Sequence, residues 1–100
     1  MKLERNLIDT MTISDFADEH DLVMVITERP GRSNEHDRFY AMFKGAEVLE
    51  GTNILRGEFG NGYTETQAIR EYGFAISNRT LVIDAMGPKR RKIQVPTLTF

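Results

Sequence analysis

The chain has no cysteine and no tryptophan. Without thiols it forms no disulfide and offers no thiolate to a metal, so it needs no oxidising compartment and the cytoplasm is its expected location. Long hydrophobic runs are missing too. The longest, Leu22-Val23-Met24-Val25-Ile26, falls far below the roughly 20 residues that cross a bilayer, and the N-terminus lacks the apolar stretch of a signal peptide, so no membrane role is expected. Nor is there an excess of one charge: Lys+Arg 13 against Asp+Glu 15 leaves a formal net charge of -2. A protein that binds by neutralising phosphates ordinarily carries a cationic surplus, so any polyanion-binding face here has to be local.

Residues that carry chemistry are equally scarce. His20 and His36 are the only histidines, they fall in different segments, and no HExxH-type spacing accompanies them; neither a metal nor another cofactor is expected. Ser14, Ser33 and Ser77 lack the glycine framing of a nucleophile elbow, and the carboxylates Asp15, Asp18 and Glu19 lie on the wet side of a short helix. The expectation is a protein that is not an enzyme.

What is present suits one domain. The chain has 100 residues, 40% hydrophobic and 28% charged, enough for a single core and outside the disordered range. Residues 1-11 read as an N-terminal arm. Thr12 precedes an apolar spacing of Ile13, Phe16 and Ala17, which predicts a capped helix. Leu22 to Arg29 alternates like a strand and stops at Pro30-Gly31; residues 31-37 contain no apolar side chain and read as a loop. A second strand opens at Phe39, with Phe39, Ala41 and Phe43 on one face and Tyr40, Met42 and Lys44 on the other. Gly45-Ala46 marks a bulge or twist before Val48-Leu49, and Ile54 to Phe59 is expected as the third strand of an antiparallel meander.

Gly57 to Gly73 raises a sharper question, because glycines before a helix can expose amides to a phosphate. The stretch GEFGNGYTETQ lacks the lysine and hydroxyl of a phosphate loop, and Glu65 puts negative charge in the first turn. Gly60 and Gly62 are therefore expected to turn the chain through conformations closed to other residues, and Gly73 to permit close contact of helix and sheet. Thr64 with Gln67 fits a capping box ahead of the stripe Ala68, Ile69, Tyr72, Ala75 and Ile76. Leu81-Val82-Ile83 reads as a fourth strand. After Met86-Gly87-Pro88, Ile93 and Val95 beside Pro96 suggest one more extended segment in a C-terminal extension, residues 86-100.

Across residues 12 to 78, the succession of a short helix, a strand closed by Pro30-Gly31, a strand opening on Phe39, and Gly60-Asn61-Gly62-Tyr63-Thr64 followed by Ala68 resembles a double-stranded-RNA-binding domain. The resemblance implies an α+β fold, α-β-β-β-α, with an antiparallel sheet and both helices on one face; the extra strand follows at the C-terminus. Where that family has its paired lysines this chain has Glu65 and Thr66, and where it has the next lysine this chain has Ile69. RNA binding of the family type is thereby disfavoured. In its size, its lack of cysteine and its α+β make-up, the chain also resembles accessory proteins encoded by bacteriophages, including inhibitors of host defence. That likeness implies a host protein as partner and the host cytoplasm as location.

The expected function is a binding module for another protein. Its contact residues would be Tyr40 and Met42 on the open sheet face, which would also serve a homodimer, or Arg32, His36 and Arg38 in the polar loop. The alternative is a nucleic-acid binder, of RNA or DNA, that uses Lys89, Arg90, Arg91 and Lys92 together with Arg32 and Arg38. Because side chains alternate along a strand, only two of the four clustered cations would face one partner if that run is extended. Its placement after Gly87-Pro88 also fits a plain solvated turn.

Overall fold

A computed structural model describes residues 1–4 and 10–100; residues 5–9 of the expected N-terminal arm lie outside the described residues. The fold is α+β, a single domain with two helices and several antiparallel strands among the described residues. In chain order the elements are β1 (Thr10–Thr12), α1 (Ile13–Glu19), β2 (Met24–Glu28), β3 (Phe39–Phe43), β4 (Ala46–Glu50), β5 (Ile54–Arg56), β6 (Gly60–Gly62), α2 (Glu65–Ile76), β7 (Thr80–Ile83), β8 (Arg91–Gln94) and β9 (Thr97–Thr99).

Both helices start as their sequences predict. The Thr12 hydroxyl accepts from the Asp15 amide at 3.1 Å. The Thr64 hydroxyl accepts from the Gln67 amide at 3.1 Å, while the Gln67 side chain accepts from the Tyr63 amide at 2.8 Å. This reciprocal pair occupies the Tyr63 and Gln67 amides, as a capping box does. Asp21 ends α1 in a left-handed conformation (φ 53) and Asn78 follows α2 in another (φ 61), a geometry that short polar side chains tolerate.

The strands do not form one meander. β2, β3 and β6 make a three-stranded sheet in the order β2-β3-β6, and β5, β4, β7 and β8 make a four-stranded sheet in that order. Gly45, at φ 72, lies in the two-residue link between β3 and β4, where the chain passes from the first sheet into the second. Of the segment expected as the third strand, Ile54 to Phe59, only Ile54–Arg56 is a strand, and it pairs with β4; Gly60–Gly62, expected as a turn, takes the third place beside β3. Glycine has the lowest strand propensity among ordinary residues, so periodicity gives no sign of β6.

Those glycines correct a second expectation. Neither Gly60 nor Gly62 has a positive φ; they are needed because nothing larger fits under α2. A Cβ at Gly60 would overlap the Tyr72 amide nitrogen and the Ala68 carbonyl oxygen, and one at Gly62 would stand 2.5 Å from the Ala68 amide nitrogen. All are backbone atoms of a helix that cannot swing aside. At Gly73, the expected site of close helix-to-sheet contact, a Cβ would meet Ile13 Cδ1 at 3.5 Å, an ordinary van der Waals distance.

Helix α2 thus rests on β3 and β6, and the core gathers on that side. Phe43 touches Phe16 of α1 at 6.1 Å between ring centroids and Tyr72 of α2 at 5.4 Å, edge to face; all three are buried. Ile93, Val95 and Leu98 of the C-terminal extension are buried in the same cluster. The extension is tied down where α2 ends: the Ser77 hydroxyl donates to the Gly73 carbonyl at 2.6 Å and accepts from the Leu98 amide at 2.9 Å. β9 runs parallel to β1, Met11 opposite Leu98.

Three measurements check this packing. Gly60→Ala should cost about 3 kcal/mol in urea unfolding, at the upper end of overpacking penalties, whereas Gly73→Ala should be neutral or gain up to about 1 kcal/mol of helix propensity. Burial pushes the Tyr72 hydroxyl up to about 12; a Phe43 backbone hydrogen bond opposes this and the Glu58 carboxylate adds to it. The unfolded chain then releases this proton near pH 10 and the folded chain near pH 12. Stability should fall by about 3 kcal/mol across that window, and Tyr72→Phe should abolish that part of the loss.

Candidate functional site

The three-stranded sheet has one covered face and one bare face. Ala41 and Phe43 point into the core and are fully buried. Their neighbours in sequence, Tyr40 and Met42, point the other way, and the register sets Val25 opposite Met42, Thr27 opposite Tyr40, and Tyr40 opposite Asn61. No described helix covers this side. Val25 is 37% exposed and Phe59 46%, and with the partly buried Tyr40 and Met42 they make a partly exposed aromatic and aliphatic surface.

One residue organises that surface. Arg29 continues β2 by a single position, so its side chain emerges on the bare face. Its guanidinium lies 4.4 Å from the Tyr40 ring centre and 5.9 Å from that of Phe59, while the two rings meet edge to face at 5.9 Å. Its Nη1 donates to the Asn61 side-chain oxygen at 2.8 Å and to the Asp37 carbonyl at 2.5 Å. A planar five-donor fork serves stacking and hydrogen bonding together, which lysine could not do. Rings, amide and loop are thereby held in one arrangement.

The loop is more ordered than its polar composition implies. The Arg32 side chain pairs with Asp37 at 3.0 Å, and Arg38 pairs with Glu28 at 2.8 Å while lying 4.8 Å from the Phe39 ring centre. His36 packs against Tyr63 at 5.6 Å. Arg32, His36 and Arg38 therefore sit beside one edge of the bare face, but both arginines already have carboxylate partners. That reduces what they offer a polyanion.

The cationic run divides as alternation requires. Lys89, Arg90, Arg91 and Lys92 are all exposed, yet Arg91 and Lys92 project from opposite faces of β8. The Arg91 guanidinium donates to the His20 carbonyl at 2.6 Å, which places positive charge where the helix dipole of α1 is negative. Arg91 thus closes a helix end, and Lys89, Arg90 and Lys92 remain exposed beside it. His20 packs on Phe16 at 4.7 Å, well apart from His36, and among the described residues no three His, Cys, Asp or Glu side chains gather as metal ligands. No described helix is long and apolar enough to cross a membrane.

The sequence reading missed two features. Arg29 sits in a strand-end position where charge is commonplace; the available clue was its parity with Val25 and Thr27. The second is an apolar groove of about 300 Å³ between α2 and β9, lined by Ile13, Ile69, Phe74, Leu98 and Phe100, with Arg70 over the Phe100 ring at 5.2 Å. Phe74 falls outside the helical stripe, so its exposure was legible, but the proximity of Phe100 depends on how β9 docks.

No protein-family model matches the chain, and comparison with curated proteins and with solved structures finds no match either. The site is therefore interpreted from its own geometry. Arg29→Lys keeps the charge and loses the fork. It should speed amide exchange in the loop around Asp37 about tenfold and cost about 1 kcal/mol in unfolding, the scale of a hydrogen bond together with a surface cation–π contact.

Proposed function

We propose that the chain is a non-catalytic module that binds another protein through the bare face of the β2-β3-β6 sheet. The observation that carries this reading is the Arg29 cluster: Tyr40 and Phe59 are stacked about a guanidinium and flanked by Val25 and Met42. Tyr, Phe, Met and Arg are the residues enriched in the centres of protein interfaces, where charged side chains other than arginine are scarce. The internal hydrogen bonds of Arg29 add to the argument. A surface whose side chains are already fixed loses less conformational entropy when a partner docks, so more of the contact energy appears as affinity.

Polyanion binding has weaker support. Arg32, Arg38 and Arg91 are engaged within the molecule, which leaves Lys89, Arg90 and Lys92, among the described residues, as the cations of the expected set whose charged groups make no such contact. The first turn of α2 presents Glu65 and a capping box where a double-stranded-RNA-binding domain would present lysines.

A photo-crosslinking residue placed at Met42 should capture a discrete protein in cells of the natural source, and the same residue at Glu71, on the far side of α2, should not. Val25→Asp should abolish the Met42 crosslink without changing the unfolding midpoint by more than a surface substitution does. Mobility shifts with duplex RNA, duplex DNA and single strands should be absent at physiological salt. Micromolar binding that weakens steeply with salt and is lost in a Lys89→Glu, Arg90→Glu double variant would move the function to the cationic turn.

A further inference from the structure

The sheet edges differ in how they are protected, and β2 stands apart. β5 and β6 are three residues long, too short to template another strand well. β8 carries Arg91 and Lys92, the kind of cationic guard that keeps edges apart. β2 is five residues, Met24–Glu28, with no proline, glycine or lysine within it.

Hydrogen-bond parity shows which of its backbone groups are free. The Lys44 amide donates to the Val23 carbonyl at 2.8 Å and the Arg29 amide to the Arg38 carbonyl at 2.7 Å. Residues 23, 25, 27 and 29 therefore bond to β3, because bonded and non-bonded positions alternate along an antiparallel pair. Met24, Ile26 and Glu28 direct both N–H and C=O away from β3. Among the described residues no hydrogen bond reaches them, and β2 has no neighbour on that side.

We infer that a second copy of this chain pairs with this edge, antiparallel and centred on Ile26. A two-fold axis at Ile26 sets Ile26 against its own equivalent and Met24 against Glu28, so all three free positions fall into bonded pairs. Val25 then faces Thr27 and Val23 faces Arg29 on the bare face. No two like charges stand opposite one another, and Glu28 is already neutralised by Arg38 at 2.8 Å. The edge is thus complementary to itself, which is what an isologous dimer requires. The two three-stranded sheets become one of six strands, and the two Arg29 clusters share one continuous surface. This inference stands on the strand edge and is independent of what the bare face binds.

Sedimentation over a concentration series, combined with amide exchange, tests it. The chain should pass from monomer to dimer, and the Met24, Ile26 and Glu28 amides should become protected as dimer forms. A chain assembled by ligation with N-methylated Ile26 removes one outward donor per copy and leaves the bonds to β3 intact. It should retain the far-ultraviolet dichroism of the parent and associate about tenfold or more weakly. In a sample mixing isotope-labelled and unlabelled chains, the Val25 Hα should show a contact to the Thr27 Hα of the other copy. A monomer at every concentration would overturn the inference, as would a dimer in which those three amides exchange as fast as in the monomer. So would binding of an added extended peptide to the edge of a chain that does not self-associate.

Discussion

The close approach of α2 to β6 is the constraint on which the other features depend. At Gly60 and Gly62 the strand backbone lies directly under the helix backbone, with Ala68 and Tyr72 above it. Any side chain at these glycines would lift the helix and separate Tyr72 from Phe43. Held down in this way, α2 covers one side of a sheet only three strands wide. Ala41 and Phe43 are then buried, while Tyr40 and Met42 are left facing outward. The glycines of β6 act by what they omit, a Cβ, and not by an unusual backbone angle.

The consequence for the opposite face is electrostatic as well as steric. A partly exposed patch of Tyr40, Phe59, Met42 and Val25 would be a disordered collection of side chains if nothing joined them. Arg29 supplies the joint, because one guanidinium can lie against two rings and still donate to Asn61 and to the Asp37 carbonyl. The loop is fixed by the same residue and by the Arg32–Asp37 pair. Recruitment of the arginines into such internal contacts also explains why a chain with 13 Lys+Arg shows little concentrated positive surface. Much of its cationic charge is used to hold strands, loops and helix ends.

Much of the fold was legible in the sequence where the signal is local. The capping of α1 by Thr12 and of α2 by Thr64 with Gln67, the strands at Met24–Glu28 and Phe39–Phe43, and the opposition of Tyr40 and Met42 to Ala41 and Phe43 all follow from spacing. What the sequence obscured depends on contacts distant along the chain. β6 is Gly-Asn-Gly and has no strand signature; it is a strand because β3 offers it hydrogen bonds and α2 leaves room for nothing bulkier. The division into two sheets at Gly45 and the docking of β9 beside β1 likewise arise from tertiary pairing. At the candidate site, Tyr40 and Met42 were visible by alternation, whereas Arg29 gains its role only when Phe59 and Asn61 return to it from the next sheet.

The uncovered sheet face and its Arg29 cluster both require α2 to lie on the Phe43 side at backbone contact distance. A nuclear Overhauser spectrum of the uniformly labelled protein tests this most directly. The account predicts a strong contact between a Gly60 Hα and the Tyr72 amide proton, and none between the Met42 methyl and any residue of α2. Absence of the Gly60 contact, or a Met42 methyl that reports protons of α2, would contradict it.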